Sequence, residues 1–293
     1  LQQVRSLLLN QRSAIITGAS QGLGKAIAQA FLANGCNVTI CGRDENKLRD
    51  AAAELQAGCQ TKAQIQVIKA DVASEREVKA LVAFHVQQFG QLDIIVNNAA
   101  ILGPIGSIEL VDWPEWLRTM EINLGGPVLL CREAVPYLKG QRTGRIINLS
   151  GGGATAPRPC FSAYASSKAA LVRFTETLAE ELKEFDITVN AVAPGALNTA
   201  MLEQVLQAGS ALAGPKAFSD ACRQKEQGGN SLEQAAALCV FLASDRAALI
   251  TGKLISAAWD PWPKLTLHET QLVNSDIYTL RRITPADRGQ DWQ

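Results

Sequence analysis

Short apolar runs alternate with longer amphipathic stretches along most of the chain. Most of these runs border Gly, Asp or Asn, which is typical of strands buried on both faces of a sheet. The stretches between them place apolar residues at helical spacing, as Val78, Leu81, Val82 and Val86 do. We therefore predict seven strands, at residues 13–17, 37–41, 64–69, 92–96, 145–150, 188–192 and 253–257.

Helices are predicted between these strands. They are expected at residues 25–34, 45–57, around Val78 to Val86, within 113–138, around Tyr164 and at 231–244. Strands and helices that alternate in this way indicate an α/β fold with a parallel, doubly wound sheet, the Rossmann architecture. We predict a single domain over residues 1–293 with a core at 13–257, because no repeat or low-complexity tract divides the chain.

Two segments depart from the alternation. Residues 200–230 interleave Gly, Pro and Ser with helical fragments, which predicts an irregular lid over a substrate pocket, at about 197–230. The tail, 259–293, holds three of the five tryptophans. Aromatic tails of this kind pack on a neighbouring subunit, cover a pocket rim or pack on their own domain, and the sequence leaves these alternatives open.

Composition narrows the partner. Apolar residues make up 47% and charged residues 19%, which is typical of a globular protein. Lys plus Arg and Asp plus Glu both number 28, so no net field attracts the chain to nucleic acid or to an anionic membrane. A small-molecule partner is therefore expected.

The cysteines indicate a reducing compartment. There are seven, scattered and never in a Cys-x-x-Cys pair, so we predict neither a disulfide framework nor a metal site. No apolar run is long enough to span a bilayer, and the apolar run at 7–9 is too short for a secretory signal. We predict a cytoplasmic protein.

A glycine-rich turn follows the first strand. Gly18, Gly22 and Gly24 stand at spacings of four and two between a strand and a helix. Glycines let the backbone approach a pyrophosphate, and the helix N-terminus supplies oriented N–H groups. We predict a dinucleotide site here, against the alternative of an ordinary connecting turn. The other predicted contact residues of the turn are Ser20, Gln21 and Leu23.

The end of the second strand bears on cofactor choice. An acidic residue there would bind the adenosine ribose hydroxyls, whereas an arginine accommodates a 2′-phosphate. This chain has Gly42 followed by Arg43, which favours NADP over NAD. The alternative is a surface arginine that caps Asp44. Further cofactor contacts are predicted after the third, fourth and sixth strands, at Asp71, Val72, Asn98, Ala99, Pro194, Gly195 and Thr199.

Tyr164 and Lys168 are the candidate catalytic pair. Four residues apart on a helix, they share one face, and a nearby ammonium lowers the pKa of a phenol by favouring the phenolate. A tyrosine that exchanges protons near neutral pH needs such a shift from its usual pKa of about 10. Asn123 is unusual inside a predicted helix, which indicates either a bend or a specific polar role.

These motifs together resemble the short-chain dehydrogenase/reductase family. The resemblance covers 13 to about 257 and rests on the Thr17–Gly24 glycine motif, the motif 97–100, Asn123, Tyr164-x3-Lys168 and the segment 194–199. It implies that Tyr164 exchanges the proton of a hydroxyl/carbonyl pair, that Lys168 holds the nicotinamide ribose and lowers the Tyr164 pKa, and that Asn123 positions a water. It also implies that Asp71 holds the adenine, Asn98 an adenosine ribose and Thr199 the nicotinamide amide.

One position departs from the family pattern. The family places a catalytic serine thirteen residues before the tyrosine, where this chain has Gly151. Ser150 is the nearest hydroxyl, and a bulge in the glycine run 151–153 would have to re-aim it, because a one-residue offset on a strand reverses the face. Otherwise a backbone N–H, Ser162 or Thr155 must serve. We predict Ser150 as the fourth catalytic residue.

The leading hypothesis is an NADP(H)-preferring oxidoreductase that interconverts a carbonyl and a secondary alcohol. A nucleotide-binding sensor or scaffold with weak catalysis is the alternative, supported by Gly151 and the tail. A nucleotide-sugar epimerase or dehydratase is a third hypothesis, disfavoured by the glycine spacing. The resemblance also implies a homo-oligomer, a dimer or tetramer, that pairs the helix after Trp113 and the Tyr164 helix with symmetry mates.

Overall fold

A seven-stranded parallel sheet forms the centre of the computed structural model, which describes residues 7–292. The strand order is β3-β2-β1-β4-β5-β6-β7. Strands β1 to β3 are added toward one edge of the sheet and strands β4 to β7 toward the other, so the switch point lies between β1 and β4. The strands are β1 (Ser13–Thr17), β2 (Asn37–Gly42), β3 (Ile65–Lys69), β4 (Ile94–Asn97), β5 (Gly144–Leu149), β6 (Ile187–Ala193) and β7 (Leu254–Ser256). The predicted α/β class and doubly wound parallel sheet are confirmed.

Ten α-helices accompany the sheet within the described residues. They are α1 (Gly22–Ala33), α2 (Glu45–Ala57), α3 (Glu75–Phe89), α4 (Trp113–Met120), α5 (Gly126–Gln141), α6 (Ser162–Leu182), α7 (Ala200–Ala213), α8 (Pro215–Gln227), α9 (Leu232–Ala243) and α10 (Glu269–Val273). None of the helices in the part described is long and apolar enough to cross a bilayer.

The side chains of each strand alternate between two apolar cores. In β1, Ala14 and Ile16 face the core beneath α1, α2 and α9, whereas Ile15 faces the core beneath α3, α5 and α6. All three are fully buried. Because both faces are covered, the strands read in sequence as continuous apolar runs rather than as alternating ones. This layering leaves the carboxyl ends of the strands, at one edge, as the place where polar groups meet.

The segment after β6 is mostly helical, so the prediction of an irregular backbone at 200–230 is wrong, whereas its role as a lid stays a prediction. Helices α7 and α8 pack on each other there. Good helix formers dominate both segments, and the glycines act only at the breaks. Gly209, at φ +70°, interrupts α7, and Gly214, at φ +82°, separates α7 from Pro215, which occupies the first turn of α8.

The described part of the tail packs on its own domain. Leu265 and Leu272 are buried in the α1/α9 core, and the Trp262 ring lies 5.7 Å from that of Phe241. The N–H of Leu254, in β7, donates to the carbonyl of Tyr278 at 2.8 Å. The tail therefore covers the exposed edge of the sheet as well as one core.

Candidate active site

The glycine-rich turn wraps the start of α1 closely. Gly18 and Gly22 have positive φ values of +64° and +55°, which non-glycine residues rarely adopt. A Cβ atom at Gly24 would lie 2.5 Å from Asn98 Nδ2. Gln21 gives α1 no side-chain cap, and no acidic residue lies in its first turn. The backbone N–H groups at this end of α1 are therefore available to an anion.

Residues at the end of β4 hold this turn in place. The Thr17 hydroxyl accepts the N–H groups of Asn98 and Ala99, each at 3.0 Å. The Asn98 Nδ2 group donates to the carbonyls of Thr17 at 2.9 Å and Gly18 at 3.1 Å. Both hydrogens of the Asn98 side-chain amide are thus used in bonds to the turn, so Asn98 stabilises the glycine-rich backbone.

The loop after β6 approaches the same turn from the opposite side. A Cβ atom at Gly22 would lie 3.9 Å from Thr199 Cγ2. Thr199 precedes α7 without forming a side-chain cap, and its hydroxyl has no hydrogen-bond partner among residues 7–292. Gly195, next to Pro194, has φ +90°, and Asn230 fixes this loop by accepting the Ala196 N–H at 2.8 Å. The predicted cofactor residues of both loops therefore line one cleft.

Arg43 lies exposed just beyond β2, near the outer end of this cleft. Asp44 caps α2 by accepting the Lys47 N–H at 3.1 Å and also pairs with the Lys47 ammonium at 3.8 Å. Asp44 therefore pairs with Lys47 and not with Arg43, whose guanidinium forms no ion pair with a carboxylate among the described residues. Ser20 is half-buried and Gln21 exposed at the same end, whereas Leu23 turns into the core.

The Asp71 carboxylate has protein partners on its side of the cleft. Its carboxylate accepts the Ala73 N–H at 3.0 Å and forms an ion pair with Arg118 of α4. Arg118 also pairs with Glu121 at 3.2 Å, and was not predicted as a site residue. Val72 is buried against α5. The loop after β3 is therefore tied to α4 and α5 at the position predicted to hold the adenine.

Tyr164 and Lys168 are both buried on one face of α6. The Lys168 ammonium donates to the Leu149 carbonyl at 2.7 Å and lies 5.7 Å from the centre of the Tyr164 ring. Burial lowers the Lys168 pKa to about 8. Burial also raises the Tyr164 pKa, a rise that the positive charge of Arg158 opposes. The spacing predicted a lowered phenol pKa, and that direction is wrong for this structure because desolvation outweighs the positive charge of Arg158.

Gly151 lies directly against the Tyr164 hydroxyl. A Cβ atom at Gly151 would overlap the phenol oxygen and lie 3.1 Å from Cζ. The phenol thus occupies the space into which a side chain at 151 would point. Ser150 is buried, and its hydroxyl has no hydrogen-bond partner among the described residues, Tyr164 included. Ser162 instead accepts the Trp116 indole N–H at 3.1 Å, and Thr155 is exposed.

Asn123 occupies a π-helical turn, Glu121–Gly125, between α4 and α5. This π-helical turn interrupts the helix predicted within 113–138, where the mid-helix Asn indicated either a bend or a specific polar role. The buried amide accepts the Ile101 N–H and donates to the Ile101 carbonyl, both at 2.8 Å, and it donates to the Ser167 hydroxyl at 3.1 Å. Asn123 thus connects the loop after β4 to the helix that carries Tyr164 and Lys168.

A second buried polar chain was not predicted from the sequence. Asn97 donates to Asn148 at 2.8 Å, and Asn148 donates to the Thr175 hydroxyl at 2.8 Å. It links β4, β5 and α6 beneath the site, and the sequence signal for it is polar residues inside otherwise apolar strands.

Arg158 was also not predicted as a site residue, because it lies outside every motif. Its guanidinium carbon is 4.0 Å from the Phe161 ring centre and 5.5 Å from that of Tyr164.

The cleft fits a nicotinamide dinucleotide. The glycine positions form a cradle that Cβ atoms would fill, the uncapped start of α1 suits a pyrophosphate, and the buried Tyr164 and Lys168 lie at the inner end. The residues that would hold the cofactor are Gly18, Ser20, Gln21, Gly22, Leu23, Gly24, Arg43, Asp71, Val72, Asn98, Ala99, Tyr164, Lys168, Pro194, Gly195 and Thr199.

Comparison with known proteins agrees with this arrangement. The family model described as short chain dehydrogenase matches residues 12–209. The chain belongs to the short-chain dehydrogenase family. It is an NAD(P)-dependent oxidoreductase that acts on carbonyl/alcohol pairs by hydride transfer.

Relatives of this short-chain dehydrogenase span most of its length. It is 34% identical over 247 residues to "Nodulation protein G" of Rhizobium sp. (strain N33), a match that covers 84% of this chain and 95% of the relative. It is 36% identical over 247 residues to "3beta-hydroxysteroid dehydrogenase 1" of Eggerthella lenta, which covers 83% and 91% respectively. The structure of levodione reductase superposes with a TM-score of 0.78 at 26% identity, over 85% of this chain and 96% of the other.

Proposed function

We propose that this short-chain dehydrogenase prefers NADP(H) and interconverts a carbonyl and a secondary alcohol, with Tyr164 as the proton donor and acceptor. The observation that carries the proposal is the buried Tyr164 phenol, which lies on one helical face with Lys168 at the inner end of the cofactor cleft. The nicotinamide supplies or accepts the hydride when it is bound. The protein has to orient the reactants and move one proton.

The proposed proton path uses Tyr164, Lys168 and Asn123. Tyr164 gives its proton to the carbonyl oxygen during reduction and takes it back during oxidation. Lys168 holds the nicotinamide ribose and, when charged, favours the phenolate that remains after proton transfer. Asn123 positions a water that returns the proton, and its rigid hold on Ile101 and Ser167 supports this role. Ser150 is proposed as an oxygen donor, for which its unpartnered buried hydroxyl is available.

The remaining assignments concern the cofactor. The glycine-rich turn and the start of α1 are proposed to bind the pyrophosphate, and Asp71 and Asn98 are proposed to contact the adenosine. Thr199 is proposed to donate to the nicotinamide amide, which a hydroxyl without a hydrogen-bond partner among residues 7–292 supports. The helices α7 and α8 form the substrate wall at 197–230, because their apolar face packs around Tyr164 and Phe161.

The NADP preference rests on Arg43. Its exposed guanidinium follows β2 without a carboxylate partner among residues 7–292, as a group that binds a 2′-phosphate must. Arg43→Gln should lower kcat/KM for NADPH about 10- to 100-fold and leave the value for NADH nearly unchanged. Arg49→Gln is the control, because Arg49 is also exposed near this end of the sheet but pairs with Glu45. Equal losses with both cofactors would contradict the assignment.

The test of the reaction is turnover of NADPH and NADH across a chemically broad carbonyl panel, with Tyr164→Phe measured in parallel. The wild-type protein should consume NADPH, and the variant should lose turnover while it still binds the nucleotide. Full turnover by Tyr164→Phe would overturn the role of this residue. Saturable NADPH binding without turnover across the panel would favour the sensor hypothesis, which the glycine at 151 also supports.

The proposal also covers assembly and location. We infer a homo-oligomer because the surface around α4 exposes the large apolar side chains of Ile108, Leu110 and Trp113, at 66%, 75% and 62% of their area. Sedimentation analysis at micromolar protein checks this expectation. All seven cysteines are free, which supports a reducing, cytoplasmic setting.

A further inference from the structure

Arg158 places a positive charge beside the reacting group. It lies in the loop between β5 and α6, and its side-chain tip is 5.5 Å from the centre of the Tyr164 ring. Its guanidinium carbon also lies 4.0 Å from the centre of the Phe161 ring, which is a cation–π contact. A Cβ atom at Gly152 would lie 3.8 Å from Nη1, so the guanidinium borders the same glycine run as the Tyr164 hydroxyl.

This guanidinium lacks an anionic partner. Among the described residues, no carboxylate forms an ion pair with Arg158, and its side chain makes no hydrogen bond. Its side chain is half-buried, and burial lowers its pKa, with Tyr164 acting in the opposite direction. A desolvated cation without a counter-charge is costly, so such groups are normally paired. Several other arginines among residues 7–292 do have a carboxylate partner, as Arg132 has Glu75 and Arg281 has Asp287.

The rest of the surrounding wall is apolar. Leu102, Leu202 and Val205 pack with Tyr164 and Phe161 into one cluster beneath the α7–α8 pair. A substrate whose carbonyl reaches the Tyr164 hydroxyl would therefore meet apolar side chains and, beside the Phe161 and Tyr164 rings, the Arg158 cation. An arginine binds a carboxylate through two parallel N–H donors, which fixes orientation as well as charge.

We propose that the substrate carries a carboxylate close to the reacting carbonyl, and that Arg158 binds it. The substrate class is thus the 2-oxo or 3-oxo acids and the matching hydroxy acids. This inference rests on the proposed function, because it takes Tyr164 as the proton donor and locates the carboxylate relative to it. The short separation between Arg158 and Tyr164 limits the acid to a few bonds from the carbonyl carbon.

The test compares free acids with their neutral esters. We would measure kcat/KM with NADPH for a 2-oxo acid, a 3-oxo acid and the methyl ester of each. The proteins are wild type, Arg158→Lys, Arg158→Met and the control Arg76→Gln, whose side chain is 90% exposed. Methionine keeps an apolar stem on Phe161, so it separates loss of charge from loss of packing. Thermal unfolding confirms that each variant is folded.

The wild-type protein should prefer an acid over its ester by about 10- to 100-fold, and Arg158→Met should abolish that preference. Arg158→Lys should retain part of the preference for the acid, because the lysine ammonium keeps the positive charge but lacks the two parallel N–H donors of the guanidinium. Equal activity on acids and esters in the wild type would overturn the proposal. So would an equal loss on both substrates in Arg158→Met together with a shifted pH profile, because Arg158 would then act only on the Tyr164 pKa.

A binding measurement separates this inference from the proposed function. If no carbonyl is turned over, titration calorimetry of the NADP-loaded protein with 3-hydroxybutanoate and its methyl ester still tests Arg158. Tighter binding of the acid, lost in Arg158→Met, would support the carboxylate site even though the reaction proposal had failed. Identical affinities for acid and ester in the wild type would reject the site. Turnover of esters with no acid preference would reject the site alone.

Discussion

At the scale of single residues, the relation between Gly151 and Tyr164 has the clearest consequence. The family pattern has a serine at this position, so restoring it would ordinarily be expected to improve catalysis. In this structure the Tyr164 hydroxyl occupies the space that a side chain at 151 would need. The glycine therefore allows the phenol to approach the end of β5, and the two residues have to be considered together.

We predict that Gly151→Ser lowers kcat at least about 10-fold instead of raising it. A Cβ atom at this position would displace the phenol from its present place, and a misplaced catalytic group costs one to two orders of magnitude in rate. Gly151→Ala isolates the steric effect, because it adds the Cβ without the hydroxyl. Gly152→Ala is the matched control, since its Cβ would meet only the Arg158 guanidinium at an ordinary 3.8 Å. A Gly151→Ser protein faster than wild type would contradict this account.

Lys168 gives a second prediction at this scale, concerning stability against pH. Burial holds its pKa at about 8 in the folded protein, below the value of about 10.4 expected when unfolded. Between these values the unfolded chain binds more protons, so this residue makes the folded state more stable as pH rises. The contribution is about 1.4 kcal/mol between pH 7 and pH 9.

The measurement is urea unfolding of wild type and Lys168→Met at pH 7 and pH 9. Comparison of the two proteins removes the effect of the buried thiols, which titrate in both. The wild type should gain about 1.4 kcal/mol relative to the variant over this interval. An unchanged difference between the two proteins would show that Lys168 is not desolvated in solution.

Residue patterns predict those features of the candidate site that depend only on spacing along the chain. Gly18, Gly22 and Gly24 follow a strand, and Tyr164 and Lys168 share a helical face, as the spacing predicted, whereas their functional roles stay predictions. Spacing carries no information on desolvation or on contacts between distant segments. For that reason the raised Tyr164 pKa and the cation over its ring were not predicted.

At the scale of elements, apolar runs predicted the strands to within about two residues, because both faces of each strand are buried. The backbone at 200–230 was misjudged for a physical reason. Glycine and proline residues such as Gly209, Gly214 and Pro215 indicate an irregular segment when only composition is considered. In the structure each lies at a break or an end of a helix, and the residues between them are helical. Composition averaged over a segment hides that distinction.

Helix α3 is joined to the sheet through a buried histidine. The His85 ring lies 2.8 Å from the Thr39 hydroxyl of β2 and 3.1 Å from the Ser13 hydroxyl of β1. Burial lowers its pKa to about 4, whereas an unfolded histidine titrates near 6.5. The unfolded chain therefore binds more protons between these values, and the folded state loses about 3 kcal/mol of stability from this residue as pH falls from 7 to 4.

We predict that His85→Gln removes this acid sensitivity. The difference in unfolding free energy between wild type and His85→Gln should narrow by about 3 kcal/mol from pH 7 to pH 4, measured by urea titration at each pH. His268→Gln is the matched control, because it replaces the other histidine of the chain, which is exposed. A difference that stays constant with pH would mean that His85 is protonated inside the fold.

At the scale of the whole molecule, the alternation of strands and helices was sufficient to predict one parallel sheet. The position of the tail was not predictable, because three kinds of packing satisfy an aromatic segment equally well. Its contacts with its own domain depend on an apolar surface that exists only after the sheet has formed. Leu265, Leu272 and Trp262 then complete the core beneath α1 and α9.

The tail should therefore contribute to global stability, and two leucines in one turn test this. Leu265 is 4% exposed and Leu267 is 76% exposed. Leu265→Ala should cost about 2 to 4 kcal/mol of unfolding free energy, because it removes buried methyl groups from the core. Leu267→Ala should stay within about 0.5 kcal/mol of wild type. Both are measured by denaturant unfolding with a tryptophan fluorescence signal. Equal, small effects would show that the tail leaves this core in solution, and a large effect at Leu267 would place the tail against another surface, such as a second subunit.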